Sequence, residues 1–390
     1  MPGPCFSNQL TDDPCRPGGR QPRISMKTHG RVVVGLSGGV DSAVAAWQLQ
    51  NEGWEVVGLF MKNWEEDDDE EYCAAREDLA MARDVCEKLE IPLRTVNFSH
   101  EYWERVFSIF LREYQAGRTP NPDVLCNREI KFREFLEYAG RLGAKQIATG
   151  HYARISQEAG RCHLLKGVDQ DKDQSYFLYA LNQSALQASL FPLGDFHKSR
   201  VREQAATLGL PNAARKDSTG ICFIGERRFA DFLARYLPPA PGEIHNLDGE
   251  IVGEHQGLWF YTLGQRHGLA IGGAGEAWYV ASKNMGENVL IVVQGHDHPA
   301  LMKPSVVVQA VHWINGVPNG WPLKCQAKAR YRQIDQPCSV QLKADGRVEV
   351  LFEQPQRAPT PGQSLVLYDA DQVLGGGIIE HTFSESTTPG

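Results

Sequence analysis

The apolar positions open with a continuous run, Val32-Val33-Val34, that ends in the small-residue stretch Gly35-Leu36-Ser37-Gly38-Gly39. Three β-branched residues in succession predict a strand buried on both faces, as in a parallel sheet. Ala43 to Gln50 predicts a helix that closes at Gly53. The alternation continues with a strand over Glu55–Met61, a helix carrying Ala75, Leu79, Ala82, Cys86 and Leu89, and a strand over Leu93–Phe98. Glu101–Tyr114 is helical, with Trp103, Val106, Phe107 and Phe110 on one side as core. A further helix carries Phe132, Phe135, Leu136, Ala139 and Leu142, and Lys145–Ala153 predicts another strand. Repeated βα units of this kind give an α/β fold, a doubly wound parallel sheet with helices on both faces. Lys198–Leu208 adds a short helix with Arg200 and Arg202, stopped by Gly209 and Pro211.

From about Arg227 the pattern changes. Pro238–Gly242 is a break, and turns at Asp248-Gly249 and Gly272-Gly273 separate short strands, with one helix near Phe229–Tyr236. This predicts a small mostly-β central domain. After Pro299, six short runs recur: Ser305–Trp313, Cys325–Arg332, Cys338–Leu342, Val348–Phe352, Ser364–Tyr368 and Gly377–Ile379. That spacing predicts a C-terminal antiparallel β-barrel. The expected organisation is a disordered extension over 1–26, a nucleotide-binding domain over 27–225, the central domain over 226–300 and the barrel over 301–384.

Composition is that of an ordinary globular protein, with 42% hydrophobic and 23% charged residues. No apolar run is long enough to span a bilayer, and no secretory signal is visible. Nine cysteines without a CxxC pair fit a reducing cytoplasm. The formal charge is −8, but Glu65–Glu71 is an unbroken carboxylate run, read as a solvated loop. Without it the balance is about −1, which leaves room for a basic patch and an RNA partner.

The turn after the first strand brings backbone N–H groups and a helix N-terminus to one point, a setting that suits phosphate. Gly38 and Gly39 permit close approach of an anion, and Ser37 and Ser42 offer hydroxyls. Asp41 is out of place in an anion cradle unless it holds a metal ion or fixes the loop. The Gly-Lys-Ser/Thr ending of the common phosphate loop is missing. In Asn121-Pro122-Asp123-Val124-Leu125-Cys126-Asn127, Asn127 is an expected N-cap, which puts Cys126 at a helix N-terminus where a thiol pKa falls. Asp123 then serves as acid or base. A rigid turn with a buried cysteine fits the same residues equally. Gly150 and His151 lie where an open sheet binds ligands, although a lone histidine is more often structural. Cys86 reads as core, and Cys222, between apolar residues, reads locally as a buried cysteine. Arg330-Tyr331-Arg332 pairs charge with a ring, either a contact for RNA or two exposed strand arginines.

Ser37-Gly38-Gly39-Val40-Asp41-Ser42 resembles the pyrophosphate loop of the ATP pyrophosphatases. Five segments, Gly35–Ser42, Asn121–Asn127, Ala148–Arg154, Lys172–Leu178 and Ser218–Gly225, together resemble the bacterial tRNA-specific 2-thiouridylases, from about Met26 to about Thr382. The resemblance implies ATP bound by Gly35, Leu36, Ser37, Gly38, Gly39, Val40, Asp41 and Ser42, with Met61 and Gly150 beside the nucleotide and Mg²⁺ shielding the phosphates. Asn121, Pro122 and Asp123 would meet the target base. His151, Lys172, Asp173, Gln174, Arg330, Tyr331 and Gln363 would contact tRNA. The implied chemistry is adenylation of the wobble uridine at its C2 oxygen, then transfer of sulfur from a Cys222 persulfide, with Cys126 as nucleophile and a Cys126–Cys222 disulfide as by-product. The implied sulfur donor is a cysteine desulfurase, acting directly or through a relay protein, and the substrates are uridine-34 tRNAs of the Lys, Glu and Gln type. No protein metal ligands are implied, and the cysteine spacing is also compatible with an iron–sulfur cluster. Two other readings share the loop: an amidotransferase-type ligase, which would not need Cys222, and a non-enzymatic tRNA-binding protein or sulfur carrier.

Overall fold

The computed structural model describes residues 29–65, 74–217 and 229–384. Five strands form the parallel sheet: β1 (Arg31–Gly35), β2 (Glu55–Lys62), β3 (Leu93–Asn97), β4 (Gln146–Ala148) and, after the hairpin β5 (Ala153–Glu158) and β6 (Arg161–Lys166), β7 (Ser189–Leu190). Their order in space is β3-β2-β1-β4-β7. Side chains alternate across the pleat. Val33, Val57, Leu59 and Ile147 therefore enter one core, and Val32, Val34, Val56 and Phe60 the other. Helices α1 (Val40–Asn51) and α2 (Ala74–Leu89) cover the second face, and helical residues 99–115 and 122–141 cover the first. The chain winds outward from β1 to β3 and then crosses back to β4 on the other side of β1. The carboxyl ends of β1 and β4 are thus a switch point, where open α/β sheets bind ligands.

Three sequence expectations change. The strand expected over Lys145–Ala153 pairs only at Gln146–Ala148. Residues 149–152 leave the sheet, and Gly150 there lies close against the backbone of Asp41 and Ser42. Ala153 then begins β5, which pairs antiparallel with β6. Second, the helix Phe229–Ala234 sends Phe232 and Leu233 into the first core of the parallel-sheet domain, although it follows the change of style in the sequence. Third, the run expected over Cys325–Arg332 stops as a strand at Lys328, so Arg330, Tyr331 and Arg332 sit in a turn.

The central strands β8 (Gly242–His245), β9 (Ile251–His255), β10 (Trp278–Asn284) and β11 (Val289–Gln294) form a four-stranded sheet in the order β10-β11-β8-β9. The C-terminal strands β12 (Met302–Trp313), β13 (Leu323–Lys328), β14 (Gln336–Leu342), β15 (Val348–Arg357), β16 (Ser364–Asp369) and β17 (Gln372–Phe383) are antiparallel, and β12 pairs with β17 to close a six-stranded barrel. The expected C-terminal fold is therefore present. The β5–β6 hairpin of the first domain is joined to this barrel. Leu165 pairs with Gln372, Arg154 Nη2 donates to Asp371 at 2.9 Å, and Tyr176 Oη donates to the Ser364 carbonyl at 2.7 Å.

Candidate active site

The loop between β1 and α1 is built for close approach. Gly38 has φ +75°, and a Cβ there would lie 2.7 Å from the Asp78 carbonyl oxygen. A Cβ on Gly150 would lie 2.8 Å from the Ser42 nitrogen. The Ser42 hydroxyl donates to the Gly39 carbonyl at 3.1 Å and accepts from the Ser37 N–H at 3.3 Å. No side chain caps α1, a twelve-residue helix, so the anion-favouring end of its dipole faces the loop. Met61 packs against Gly35 from the end of β2.

Asp41 fixes the loop. Its carboxylate accepts from Lys198 Nζ at 2.7 Å on both oxygens and from Tyr152 Oη at 2.8 Å. Burial, with Asp41 alongside, holds the Tyr152 hydroxyl protonated as a donor. Lys198 also meets Asp217 at 2.7 Å, and Asp217 in turn accepts from Lys172 at 2.8 Å and Arg202 at 2.6 Å. Burial pushes the Asp217 carboxyl up, but its bonds to Lys172 and Lys198 outweigh that and bring it down to about 2. Gly38 is held from the other side, its carbonyl accepting from Asn212 Nδ2 at 3.0 Å and Arg215 Nη1 at 3.3 Å, while Arg215 pairs with Asp78. Sequence reasoning missed Tyr152, Lys198, Asn212, Arg215 and Asp217. One signal was present: Lys198 opens its helix, where the dipole disfavours a cation.

The Asn127 cap is corrected. Asn121 is the N-cap, its side chain accepting from the Asp123 N–H at 3.1 Å with Pro122 at the first helical position. Asp123 lies in the first turn, where the dipole favours its carboxylate. Cys126 is therefore beyond the first turn, inside a helical run to Arg141, and is fully buried. The positive end of the helix dipole therefore lies at Asp123 and not at this thiol. The reason is local: an Asn-Pro pair is a stronger helix start than an isolated Asn. Asn127 is instead buried, its amide donating to the Phe177 carbonyl at 3.1 Å.

A continuous hydrogen-bonded path joins the two halves of the site. Asp41 accepts from Tyr152. The Tyr152 N–H donates to Gln174 Oε1 at 3.0 Å, and the Gln174 N–H donates to the Tyr152 carbonyl at 2.8 Å. Gln174 leads into the turn Ser175–Leu178, which Asn127 grips.

The other expected residues sort by exposure. Lys172 is exposed enough to meet a ligand. Asp173 is buried and accepts from the N–H groups of Gly167 and Ser175 and from the Ser175 hydroxyl; burial raises its pKa. His151 is bonded to Thr149 at 2.7 Å and packed by Phe132 and Phe191. Burial and then Lys131 hold it far below its usual range, so it is neutral. Arg330 donates to the carbonyls of Leu263 and Ala358, at 3.3 and 2.7 Å. Tyr331 lies 4.4 Å from the Phe177 ring, and burial pushes its hydroxyl up to about 12. Gln363 Nε2 donates to the Thr119 carbonyl at 2.7 Å, just ahead of Asn121. Central and C-terminal domains both hold this approach: Lys283 Nζ donates to the Gly117 carbonyl at 2.9 Å, and the Thr119 N–H donates to the Pro361 carbonyl at 2.9 Å. Cys222 and the acidic run from Glu66 lie outside the described residues.

Among the described residues there is no group of three or more His, Cys, Asp and Glu side chains that could hold a metal ion. None of their helices is long and apolar enough to cross a membrane.

Three family profiles match in succession: a tRNA methyl transferase HUP domain over residues 30–226, a tRNA methyl transferase PRC-barrel domain over 230–294 and an aminomethyltransferase beta-barrel domain over 303–379. The chain is 59% identical over 365 residues to a tRNA-specific 2-thiouridylase MnmA of Methylococcus capsulatus, covering 92% of this chain and 98% of the relative. It is 56% identical over 359 residues to the protein of the same name from Escherichia coli, covering 91% and 98%. A solved 4-thiouridine synthetase–RNA complex with bound ATP overlaps 48% of this chain and 43% of its own, at 19% identity and a TM-score of 0.32.

Proposed function

The chain belongs to the tRNA-specific 2-thiouridylase family, and from that premise we propose how its own residues divide the reaction. The enzyme is an ATP-dependent tRNA sulfurtransferase that replaces the C2 oxygen of the wobble uridine with sulfur. That carbonyl is a poor electrophile without a leaving group. Attack of its oxygen on the α-phosphorus of ATP releases pyrophosphate and makes the oxygen part of an AMP leaving group. Sulfur then bonds to C2 and AMP departs.

The observation that carries the reading is the path from Asp41 through Tyr152 and Gln174 to Asn127, which fixes the loop and the Cys126 helix relative to each other. Gly38 and Gly150, where side chains would strike backbone, let Asp78 and the end of β4 pack directly against the loop and fix its shape. Residues 35–42 hold the phosphates, with Met61 and Gly150 beside the nucleotide. Lys198 neutralises Asp41 so that the loop accepts an anion, and Lys172, Arg202 and Arg215 add positive charge near it. Mg²⁺, when bound, would neutralise charge on the nucleotide phosphates; Asp41, engaged by Lys198 and Tyr152, would not be free to hold it.

Asn121, Pro122 and Asp123 receive the target base, and Asp123 moves protons. Cys222 carries the persulfide, and its terminal sulfur bonds to C2. The Cys126 thiolate attacks the Cys222 sulfur of that linkage. The sulfur–sulfur bond breaks, leaving a thiolated base and a Cys126–Cys222 disulfide. Asp217, five residues before Cys222 in the sequence, is tied to the loop by Lys198. On the far side, Phe232 and Tyr236 pack against Trp64 and Phe107, in the same core as Cys126. Burial of Cys126 requires a local opening before it reacts. Lys172 faces tRNA, while Arg330, Tyr331 and Gln363 act at the domain junction that presents the Asn121 segment. A cysteine desulfurase, directly or through a relay protein, supplies the sulfur.

The matched profiles speak of methyl transfer, whereas the full-length relatives are 2-thiouridylases and the loop and motif cysteines suit adenylation and sulfur transfer. The test is pyrophosphate release with and without uridine-34 tRNA, for wild type and Cys222→Ser. The reading requires tRNA-dependent release, with thiolation lost in the variant. ATP never cleaved in the presence of that tRNA, or a fully active variant, overturns it.

A further inference from the structure

The barrel carries a second pair of cysteines that the reaction does not use. Cys325 on β13 and Cys338 on β14 are direct cross-strand partners, with sulfurs 3.8 Å apart. Cys338 is buried and Cys325 half-buried. We propose that Cys325 and Cys338 form a reversible thiol–disulfide site, oxidised by peroxide-class two-electron oxidants. Directly opposed residues of an antiparallel pair have Cα separations within the range a disulfide spans. The sulfurs have only to close from 3.8 Å to about 2.05 Å, a change that side-chain rotation supplies.

The exposure difference sets the order of events. The Cys325 thiolate attacks one peroxide oxygen and breaks the O–O bond, so Cys325 becomes a sulfenic acid and the peroxide is reduced to hydroxide. The Cys338 sulfur then attacks the Cys325 sulfur and gives up its proton. The sulfur–oxygen bond breaks, water leaves, and the disulfide remains. A dithiol reductant reverses it by exchange.

The bond would close the base of residues 329–335, a turn that touches every domain. Arg330 reaches the Leu263 carbonyl of the central domain, Tyr331 packs on Phe177 beside the Cys126 helix, and Asp335 meets Lys166 of the β5–β6 hairpin at 2.5 Å. Oxidation therefore restrains the joint that sets the outer domains against the active site.

The full chain is treated with hydrogen peroxide, alkylated, digested without reduction and mapped peptide by peptide, so that linkage at Cys126 or Cys222 is read separately. The expected result is a linked Cys325–Cys338 peptide pair lost on adding dithiothreitol, with dimedone-trapped sulfenic acid accumulating at Cys325 in Cys338→Ser. Oxidised wild type should also show a changed KM for tRNA with ATP binding unaltered, an effect missing from Cys325→Ser. Both thiols remaining alkylatable, direct passage of Cys325 to the sulfinic acid, or pairing of either cysteine elsewhere overturns the proposal. So does a linked pair that leaves the KM for tRNA unmoved.

Discussion

Lys198→Met is the most informative single change to the loop. Lys198 Nζ lies 2.7 Å from both Asp41 and Asp217, so the two carboxylates it separates are at most about 5.4 Å apart. At an effective dielectric near 20, two like charges at that distance repel by about 3 kcal/mol. The carboxylates are 31% and 29% exposed, and solvent screening reduces this to about 1.5 kcal/mol. Phosphate entering a loop with an uncompensated Asp41 meets a comparable penalty, about tenfold in apparent ATP affinity. The assay is KM for ATP from tRNA-dependent pyrophosphate release at saturating tRNA, alongside a melting curve to verify folding. Adding Asp217→Asn to the variant removes one of the two charges and should recover part of the loss. A folded Lys198→Met with KM for ATP unchanged within about twofold would refute the claim that this lysine makes the loop receptive to anions.

Three further changes test other parts of the account. Gly150→Ala drives a methyl into the Ser42 nitrogen and the Asp41 carbonyl carbon, at 2.8 and 2.9 Å; a loss of about 1–3 kcal/mol in stability is expected, with pyrophosphate release falling more than the melting point does. Gln363→Ala frees the Thr119 carbonyl at a cost of about 1 kcal/mol, and is expected to lower thiolation while ATP binding, followed by calorimetry, stays intact. Lys283 is brought down to about 8 by burial, below its unfolded value. Below that pH the folded and unfolded states both hold the proton and the burial penalty is full. Between about 8 and the unfolded value near 10.4 the unfolded chain binds more protons, so stability rises with pH. Urea titrations across that window should show a rise for wild type that is missing in Lys283→Met.

The parts of the fold written in local patterns were legible. Val32–Val34 and the glycine turn announce a buried strand feeding an anion site, and the six C-terminal runs each became a barrel strand. What the sequence hid is long-range. A cation opening a helix marks Lys198 as unusual, but nothing nearby names Asp41 as its partner, since the two are brought together only by the winding of helices around the sheet. Lys283 looks like an ordinary polar strand residue, and the bond from Gln363 to Thr119 is not visible, until the central domain and the barrel close on Gly117–Thr119. Nothing in the residues of the β5–β6 hairpin shows that it pairs with β17. The cap error at Asn127 came from weighing one polar residue alone and overlooking the Asn121-Pro122 start five residues before Cys126.

The most direct test of the central claim is mass spectrometry of nucleosides from uridine-34 tRNA incubated with the full chain, ATP, Mg²⁺, cysteine and a cysteine desulfurase, with Cys126→Ala run in parallel. The account predicts 2-thiouridine from wild type, formed in step with pyrophosphate, and none from the variant although it still binds the tRNA. Equal 2-thiouridine from both proteins would contradict it.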